Sequence, residues 1–152
     1  MIKIINENIL NSNAKYIVHQ CNCVTKNAKY LAQDIFNKFP YSDIYSTRNT
    51  NSKPGDIIIS GNGNEQRFVI ALFGQYYPGP PKISDSKFDG YEIRKIYFYE
   101  GLKKIINISN VESIAFPYGI SCGAAGGDWN FYSSLLEKFS KSIDADVYIC
   151  KF

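Results

Sequence analysis

The sequence contains few of the residues that metal and redox sites require. Its 152 residues include a single histidine, His19, and four cysteines at positions 21, 23, 122 and 150, none in a Cys-x-x-Cys pair. This pattern gives poor support to a zinc site, so we expect neither a metal nor a cofactor. Unpaired thiols of this kind are typical of a reducing compartment.

Long apolar runs and a strong charge excess are also missing. No stretch approaches the ~20 apolar residues of a membrane-spanning helix, and no signal-like stretch precedes the strand-like residues 1–5. The net charge of +3 is too small to indicate a nucleic-acid-binding protein, although it suits an anionic ligand. We therefore expect a cytoplasmic protein, with the nucleus as an alternative compartment, that does not contact membranes.

The remaining composition is that of an ordinary globular domain. Hydrophobic residues make up 45% of the chain and charged residues 20%. A chain of this length suits one domain with a sizeable core, and no linker or repeat interrupts it. We expect a single domain over residues 1–152 and a monomer.

Apolar periodicity predicts alternating strands and helices. The predicted strands are residues 2–5, 16–22, 56–60, 67–73, 113–118 and 146–151; the predicted helices are 27–39, 90–107 and a third after residue 128. Asn27 and Asp128 are the expected N-caps of the first and third helices. Residues 61–64 form a hairpin turn, and residues 82–89 are a polar connection. The order β-β-α-β-β-α-β-α-β predicts an α/β fold with helices on the faces of a mixed central sheet.

A loop of small residues, Ile120–Trp129, lies between the fifth strand and the third helix. Its three glycines and two alanines allow the backbone to approach a ligand closely. A loop in this place presents free backbone N–H groups and the positive end of a helix dipole, which bind anions and above all phosphates. A structural turn capped by Asp128 is the alternative interpretation.

Two further segments, residues 20–29 and 74–81, also leave strand ends. Because α/β sheets bind ligands at the carboxyl ends of their strands, we expect one cleft with three loop walls. The Tyr-, Gly- and Pro-rich segment 74–81 is either a wall of this cleft or a stiff surface loop. A phosphorylated ligand fits such a cleft better than a metal or a protein strand.

Five separated motifs together resemble those of a macrodomain. They are Val18–Cys23, Ala28–Lys29, Pro54–Ile57, Ala71–Gln75 and Phe116–Trp129, in order over nearly the whole chain. The sequence is most similar to the branch that contains ADP-ribose-1''-phosphate phosphatases and de-ADP-ribosylating macrodomains of the TARG and DarG type. The resemblance implies a three-layer α/β/α fold and a cleft for ADP-ribose.

The resemblance also implies contacts along the ligand. Asn8 stands where an acidic residue usually holds the adenine amino group, and its carbonyl can accept the same hydrogen bond without charge assistance. Tyr148 and Phe152 are candidates for an aromatic ring stacked on adenine. Residues 22–29 lie against the distal ribose, and residues 119–126 wrap the diphosphate. The implied ligand-binding residues are Asn8, Ile9, Gln20, Cys21, Lys29, Tyr30, Leu31, Gln75, Tyr76, Tyr118, Gly119, Ile120, Ser121, Cys122, Gly123, Ala124 and Ala125.

Two departures from the family pattern bear on the activity. Tyr30 stands where many relatives have glycine, and its ring either narrows the distal-ribose site or closes over a bound ligand. Gln75 and Ala125 stand where the glycohydrolase branch has a lysine nucleophile and an acid. A Gln cannot form a Schiff base and an Ala cannot transfer a proton, which argues against the lysine-dependent mechanism.

The activity that we expect is hydrolysis of the phosphate of ADP-ribose 1''-phosphate. It requires charge stabilisation, a positioned water and a proton donor. His19 would transfer the proton, Asp128 would orient water or act as a base, Asn22 would position the ribose and Lys29 would neutralise the phosphate. The alternatives are a core role for His19, a turn-capping role for Asn22 and a helix-capping role for Asp128.

Two other activities stay open at this stage. Many macrodomains bind ADP-ribose or ADP-ribosylated macromolecules without turnover, and a glycohydrolase could use residues other than the family lysine. The expected partners are ADP-ribose, ADP-ribose 1''-phosphate and ADP-ribosylated macromolecules. Fold analogy supports all three activities and does not choose among them.

Overall fold

A computed structural model describes residues 2–82 and 86–152 of the chain. Its strands are β1 Ile2–Ile5, β2 Tyr16–Gln20, β3 Ile57–Ser60, β4 Phe68–Leu72, β5 Glu112–Pro117 and β6 Ala145–Cys150. Its helices are α1 Tyr30–Lys38, α2 Ser86–Asp89, α3 Tyr91–Ile106 and α4 Trp129–Ser142, with 3-10 turns at Ile9–Asn11 and Pro40–Ser42.

The strands form one mixed sheet in the order β1-β6-β5-β2-β4-β3. In this sheet β3 runs antiparallel to β4, whereas the other neighbouring pairs are parallel. The carboxyl ends of the parallel strands therefore meet at one edge. The loops after β2, β4 and β5 all leave from this edge, where α/β proteins bind their ligands.

Two cores, one on each face of the sheet, complete three layers. Successive side chains of a strand point to opposite faces, so β2 places Val18 in the core beneath α3 and α4 and Ile17 in the core beneath α1. Both side chains are fully buried. The predicted three-layer α/β/α arrangement with a mixed central sheet is confirmed.

Most predicted elements are present with small shifts at their ends, but the first helix begins late. It starts at Tyr30, and Lys29 occupies its N-cap position without a capping side-chain hydrogen bond, so the prediction of Asn27 as the cap was wrong. The reason is an upstream turn held by Asn22, which keeps the following residues out of the helix.

Residues 82–89, predicted as a polar connection, include the short helix α2. Residues 83–85 of this segment lie outside the described residues. Within the described ranges, none of the helices combines the length and the hydropathy needed to cross a bilayer.

Candidate functional site

A cleft of about 920 Å³ opens at the carboxyl edge of the sheet. Its lining comes from three segments, residues 19–32, 75–80 and 117–125, together with Tyr45. We call residues 22–29 the first loop, 74–81 the proline loop and 119–127 the glycine loop. The structure thus brings onto one cleft the three loops that the sequence placed at strand ends.

The glycine loop presents backbone donors to the cleft. Gly119, Ser121 and Gly126 have positive φ angles of 77°, 71° and 77°, and the N–H of Cys122 donates to the Gly119 carbonyl at 2.9 Å. The N–H groups of residues 123–125 have no hydrogen-bond partner in the described part of the chain, and all three residues line the cleft. Successive free N–H groups ahead of a helix form an anion-binding concavity.

A chain of side-chain hydrogen bonds ties the glycine loop to the ends of β2 and β4. The Ser121 hydroxyl donates to Gln20 Oε1, and Gln20 Nε2 donates to Gln75 Oε1 at 2.6 Å. Gln75 Nε2 then donates to the Tyr77 carbonyl at 2.9 Å. These predicted ligand-binding residues line the cleft, but their amide groups are used mainly to hold one another and the loops.

The first loop uses its polar groups internally. Asn22 Oδ1 accepts hydrogen bonds from the N–H groups of Val24 and Thr25 at 3.0 and 2.9 Å and from the Thr25 hydroxyl at 3.1 Å. The Tyr45 hydroxyl accepts from the Asn22 N–H at 2.8 Å and from Asn22 Nδ2 at 3.2 Å. Arg48 Nη2 donates to the Asn22 carbonyl at 3.1 Å. Asn22 therefore organises the loop with the groups that were expected to position a ribose.

His19 lies at the floor of the cleft and is almost completely buried, with 1% of its surface exposed. Its ring packs edge-on against Phe36, with 5.3 Å between centroids, and both ring nitrogens are 3.6 Å from Cys21 Sγ. Burial lowers the pKa of His19 to about 4 and raises the pKa of Cys21 to about 12. At neutral pH both groups are uncharged, which opposes a role for His19 as a proton donor.

Asp128 does not line the cleft. Its side chain is exposed and accepts a hydrogen bond from the Asn130 N–H at 3.0 Å, so it caps α4. The structure therefore does not bring together the proposed catalytic set of His19, Asn22 and Asp128. The capping interpretation, which the sequence left open, accounts for the position of this carboxylate.

Four predicted ligand-binding residues also lie outside the cleft lining. Ile9 and Cys21 are buried in the core beneath α1, and Asn8 caps the 3-10 turn by accepting the Leu10 N–H at 3.0 Å. Tyr76 is turned toward Asn51, whose amide donates to its hydroxyl at 2.9 Å.

Of the two aromatic candidates for adenine stacking, Tyr148 lines a separate cavity of about 250 Å³, and Phe152 is almost fully exposed.

The remaining predicted residues surround the mouth of the cleft. Lys29, Tyr30 and Leu31 contribute from the start of α1, and Tyr118 contributes from the end of β5. The Tyr30 ring is 73% exposed, and its φ of 57° is in the left-handed region that disfavours bulky residues. Because the ring faces solvent, the cleft stays open beneath it.

The described lining of the cleft carries positive charge only. Among the described residues that line the cleft, Lys29 is the one charged side chain, and no Asp or Glu is present. Together with the free N–H groups of the glycine loop, this makes the cleft suitable for an anion and leaves it without a carboxylate that could act as a base.

Sequence reasoning missed Tyr45, which lines the cleft. Thr25, Pro78 and Pro80 also line it and lie in the two segments, 20–29 and 74–81, that were expected to border the cleft, although none of them was singled out. Tyr45 is the most consequential, because its buried hydroxyl supports the first loop. It lies in a polar connection between predicted elements, and an aromatic residue among polar neighbours was the one available signal.

Neither a family model nor a curated protein matches the sequence. Solved structures do match: the macrodomain of Thermus aquaticus DarG has 20% identity and a TM-score of 0.75 over 99% of this chain and 97% of that chain. The macrodomain of Mycobacterium tuberculosis DarG has 18% identity and a TM-score of 0.72, with 97% of each chain covered. Thermosipho africanus DarTG in complex with ADP-ribose has 15% identity and a TM-score of 0.73 over 99% of this chain and 41% of that chain. The fold is therefore that of a macrodomain.

Proposed function

We propose that this protein binds ADP-ribose, free or attached to a macromolecule, without hydrolysing it. The observation that carries the proposal is the polarity of the cleft, which combines the free N–H groups of residues 123–125 with a described lining that contains no carboxylate. A diphosphate needs donors and no competing negative charge. The glycine loop supplies these donors at the edge of the sheet where the parallel strands end.

The size of the cleft and the structural neighbours agree with this ligand. A volume of about 920 Å³ is in the range of roughly 300–1,000 Å³ that is usual for small-molecule sites. The matched structures of Thermosipho africanus DarTG and of a Trypanosoma brucei macrodomain are complexes with ADP-ribose.

Binding is favoured over hydrolysis because the expected proton-transfer groups are not available. A general acid works best when its pKa is near the operating pH, whereas burial lowers the pKa of His19 to about 4. Asp128 caps α4 outside the cleft lining. The side-chain oxygen of Asn22 accepts three hydrogen bonds from its own loop.

Hydrolysis of ADP-ribose 1''-phosphate is the second candidate, and one observation favours it. Lys29 lies at the amino end of α1 in the cleft lining. A helix amino terminus and an ammonium group together attract a phosphate. A phosphatase would have to activate water without a carboxylate from the described lining.

Titration calorimetry with ADP-ribose, with adenosine and ADP as controls, tests the proposal. We expect a micromolar dissociation constant, about −8 kcal/mol, and no release of phosphate from ADP-ribose 1''-phosphate. No binding at millimolar ligand would reject the proposed function. Phosphate release, or release of ADP-ribose from a modified protein or DNA, would instead identify a phosphatase or a glycohydrolase.

A further inference from the structure

A buried ion pair lies behind two of the loops that border the cleft. Arg94 on α3 donates from Nε to Asp89 Oδ1 at 2.9 Å and from Nη2 to Asp89 Oδ2 at 2.6 Å. The side chains are 3% and 0% exposed, respectively. A two-pronged contact of this kind fixes the relative orientation of its partners as well as their separation.

The other hydrogen bonds of the pair go to the backbone of both loops. In the proline loop, Arg94 Nη1 donates to the Gly79 carbonyl at 2.8 Å and Nη2 donates to the Tyr77 carbonyl at 3.2 Å. Asp89 Oδ1 also accepts the Tyr76 N–H at 2.9 Å. In the glycine loop, Arg94 Nη1 reaches the Ala125 carbonyl at 3.5 Å. One guanidinium thus contacts both loops from a helix that packs in the core.

Stability alone is a weak reason for this arrangement. Burying two charges has a large desolvation cost, and buried ion pairs can often be replaced by apolar residues without loss of stability. What an apolar pair cannot do is donate to the carbonyls of Tyr77, Gly79 and Ala125. The pair therefore differs from an apolar replacement in that its hydrogen bonds fix the distance between the two loops.

We propose that Asp89 and Arg94 form a positioning pair that sets the separation of the proline and glycine loops across the phosphate-binding part of the cleft. The Ala125 carbonyl follows directly on the free N–H groups of residues 123–125, so a shift of this carbonyl turns those donors. The inference rests on the proposed function, because a diphosphate is the ligand that those donors would hold.

The double variant Asp89→Leu/Arg94→Met tests the pair. It keeps a packed apolar contact and removes every hydrogen bond to the two loops. We expect it to fold with a lower midpoint of urea unfolding, because the Tyr76 N–H and the carbonyls of Tyr77 and Gly79 lose their partners. The dissociation constant for ADP-ribose should rise at least about tenfold, while that for adenosine, measured by NMR titration, stays unchanged. Amide hydrogen exchange should become faster at Cys23, which donates to the Tyr76 carbonyl, and at Gly126 and Gly127, which donate within the glycine loop, and it should stay unchanged in β2.

Two single variants complete the experiment. Arg94→Lys keeps the positive charge but loses the several N–H donors of the planar guanidinium. Its affinity for ADP-ribose should therefore lie between those of the wild type and the double variant. Glu92→Gln on the same helix removes an exposed ion pair with Lys95 and should behave as the wild type. If the double variant does not fold, Arg94→Lys decides by the same readouts.

Unchanged ADP-ribose affinity in a folded double variant would overturn the inference, as would equal losses for ADP-ribose and adenosine. If the wild type itself does not bind ADP-ribose, the proposed function fails. Hydrogen exchange then tests the pair by itself: unchanged protection at Cys23, Gly126 and Gly127 in the variant would reject the positioning role.

Discussion

The glycine loop and the first loop border the same cleft, but they differ in whether their hydrogen-bonding groups are already paired within the protein. In the glycine loop, the N–H groups of residues 123–125 have no partner among the residues that the structure describes. In the first loop, Asn22 bonds to Val24, Thr25 and Tyr45, and Arg48 bonds to its carbonyl. One loop therefore offers donors to a ligand, whereas the other offers a fixed shape.

This difference separates affinity from catalysis. Unpaired donors gain hydrogen bonds when an anion binds, so the glycine loop contributes affinity. In the first loop the side chain of Asn22 is already paired with its own loop, so it supports the shape of the loop and is not available to activate water. The comparison is the physical basis for favouring a binding protein over a phosphatase, and each of the following predictions tests one side of it.

The largest effect is expected in the glycine loop, from Gly123→Glu. A Cβ atom at Gly123 meets nothing within 4 Å, so the protein should fold with a carboxylate directed into the anion site. We expect the affinity for ADP-ribose to fall about a thousandfold, or ~4 kcal/mol, in calorimetry. Gly123→Ala is the control and should bind nearly as well as the wild type. Equal binding by both variants would place the diphosphate elsewhere.

At the floor beneath the first loop, His19 makes stability depend on pH. The unfolded chain takes up the proton near the ordinary value of 6.5, and the folded protein takes it up only near 4. The contribution of neutral His19 is therefore complete above pH 6.5 and is lost as the pH falls to about 4, a decrease of about 3 kcal/mol in the free energy of unfolding.

Urea unfolding of the wild type and of His19→Leu across this pH range isolates the effect. Carboxylates titrate in both proteins, so the stability difference between them should shift by this amount between pH 6.5 and 4. A constant difference would show that the pKa of His19 is the same in the folded protein as in the unfolded chain, and a proton-transfer role near neutral pH would become tenable again.

Support of the first loop by Tyr45 predicts a smaller effect. Tyr45→Phe removes the acceptor of the Asn22 N–H and Nδ2 groups and leaves buried donors unpaired. We expect a loss of about 2 kcal/mol in the free energy of unfolding. Tyr99→Phe, at an exposed ring, should change it by less than ~0.5 kcal/mol. Similar values for the two variants would mean that the loop holds itself without the hydroxyl.

The smallest effect is expected at the mouth of the cleft. Tyr30 has a φ of 57°, which glycine adopts more easily than any residue with a Cβ atom. Both Tyr30→Gly and Tyr30→Ala remove the exposed ring, but the alanine variant retains the strain. We expect Tyr30→Gly to be the more stable of the two by about 1 kcal/mol in thermal or urea unfolding. Equal stability would indicate that the backbone relaxes at little cost.

Features encoded by neighbouring residues could be predicted from the sequence. The β-branched run of β2, the small residues of the glycine loop and the cap formed by Asp128 each depend on a few adjacent positions. The turn after β2, which the strand-end position of Asn22 offered as an alternative to ribose binding, is present. The helix cap predicted at Asn27 was wrong, since α1 begins at Tyr30 with Lys29 in the N-cap position.

Features that depend on distant contacts could not be predicted. Asn22 and Tyr45 are 23 positions apart, and Ser121 is 101 positions from Gln20. The pKa of His19 depends on how completely α1 and β2 enclose it, which a lone histidine in a strand does not reveal. The contacts of Arg94 with Tyr77 and Ala125 likewise join segments that carry no shared sequence signal.

The pairing of β1 with β6 has a consequence for synthesis on the ribosome. β1 contacts β6 from Ile2–Val147 to Ile5–Cys150, so β1 has no partner in the sheet until residues 145–150 have been translated. β2, β3 and β4 can pair long before that. Since β5, which leads into the glycine loop, lies between β2 and β6, the anion site reaches its final form only after β6 has emerged.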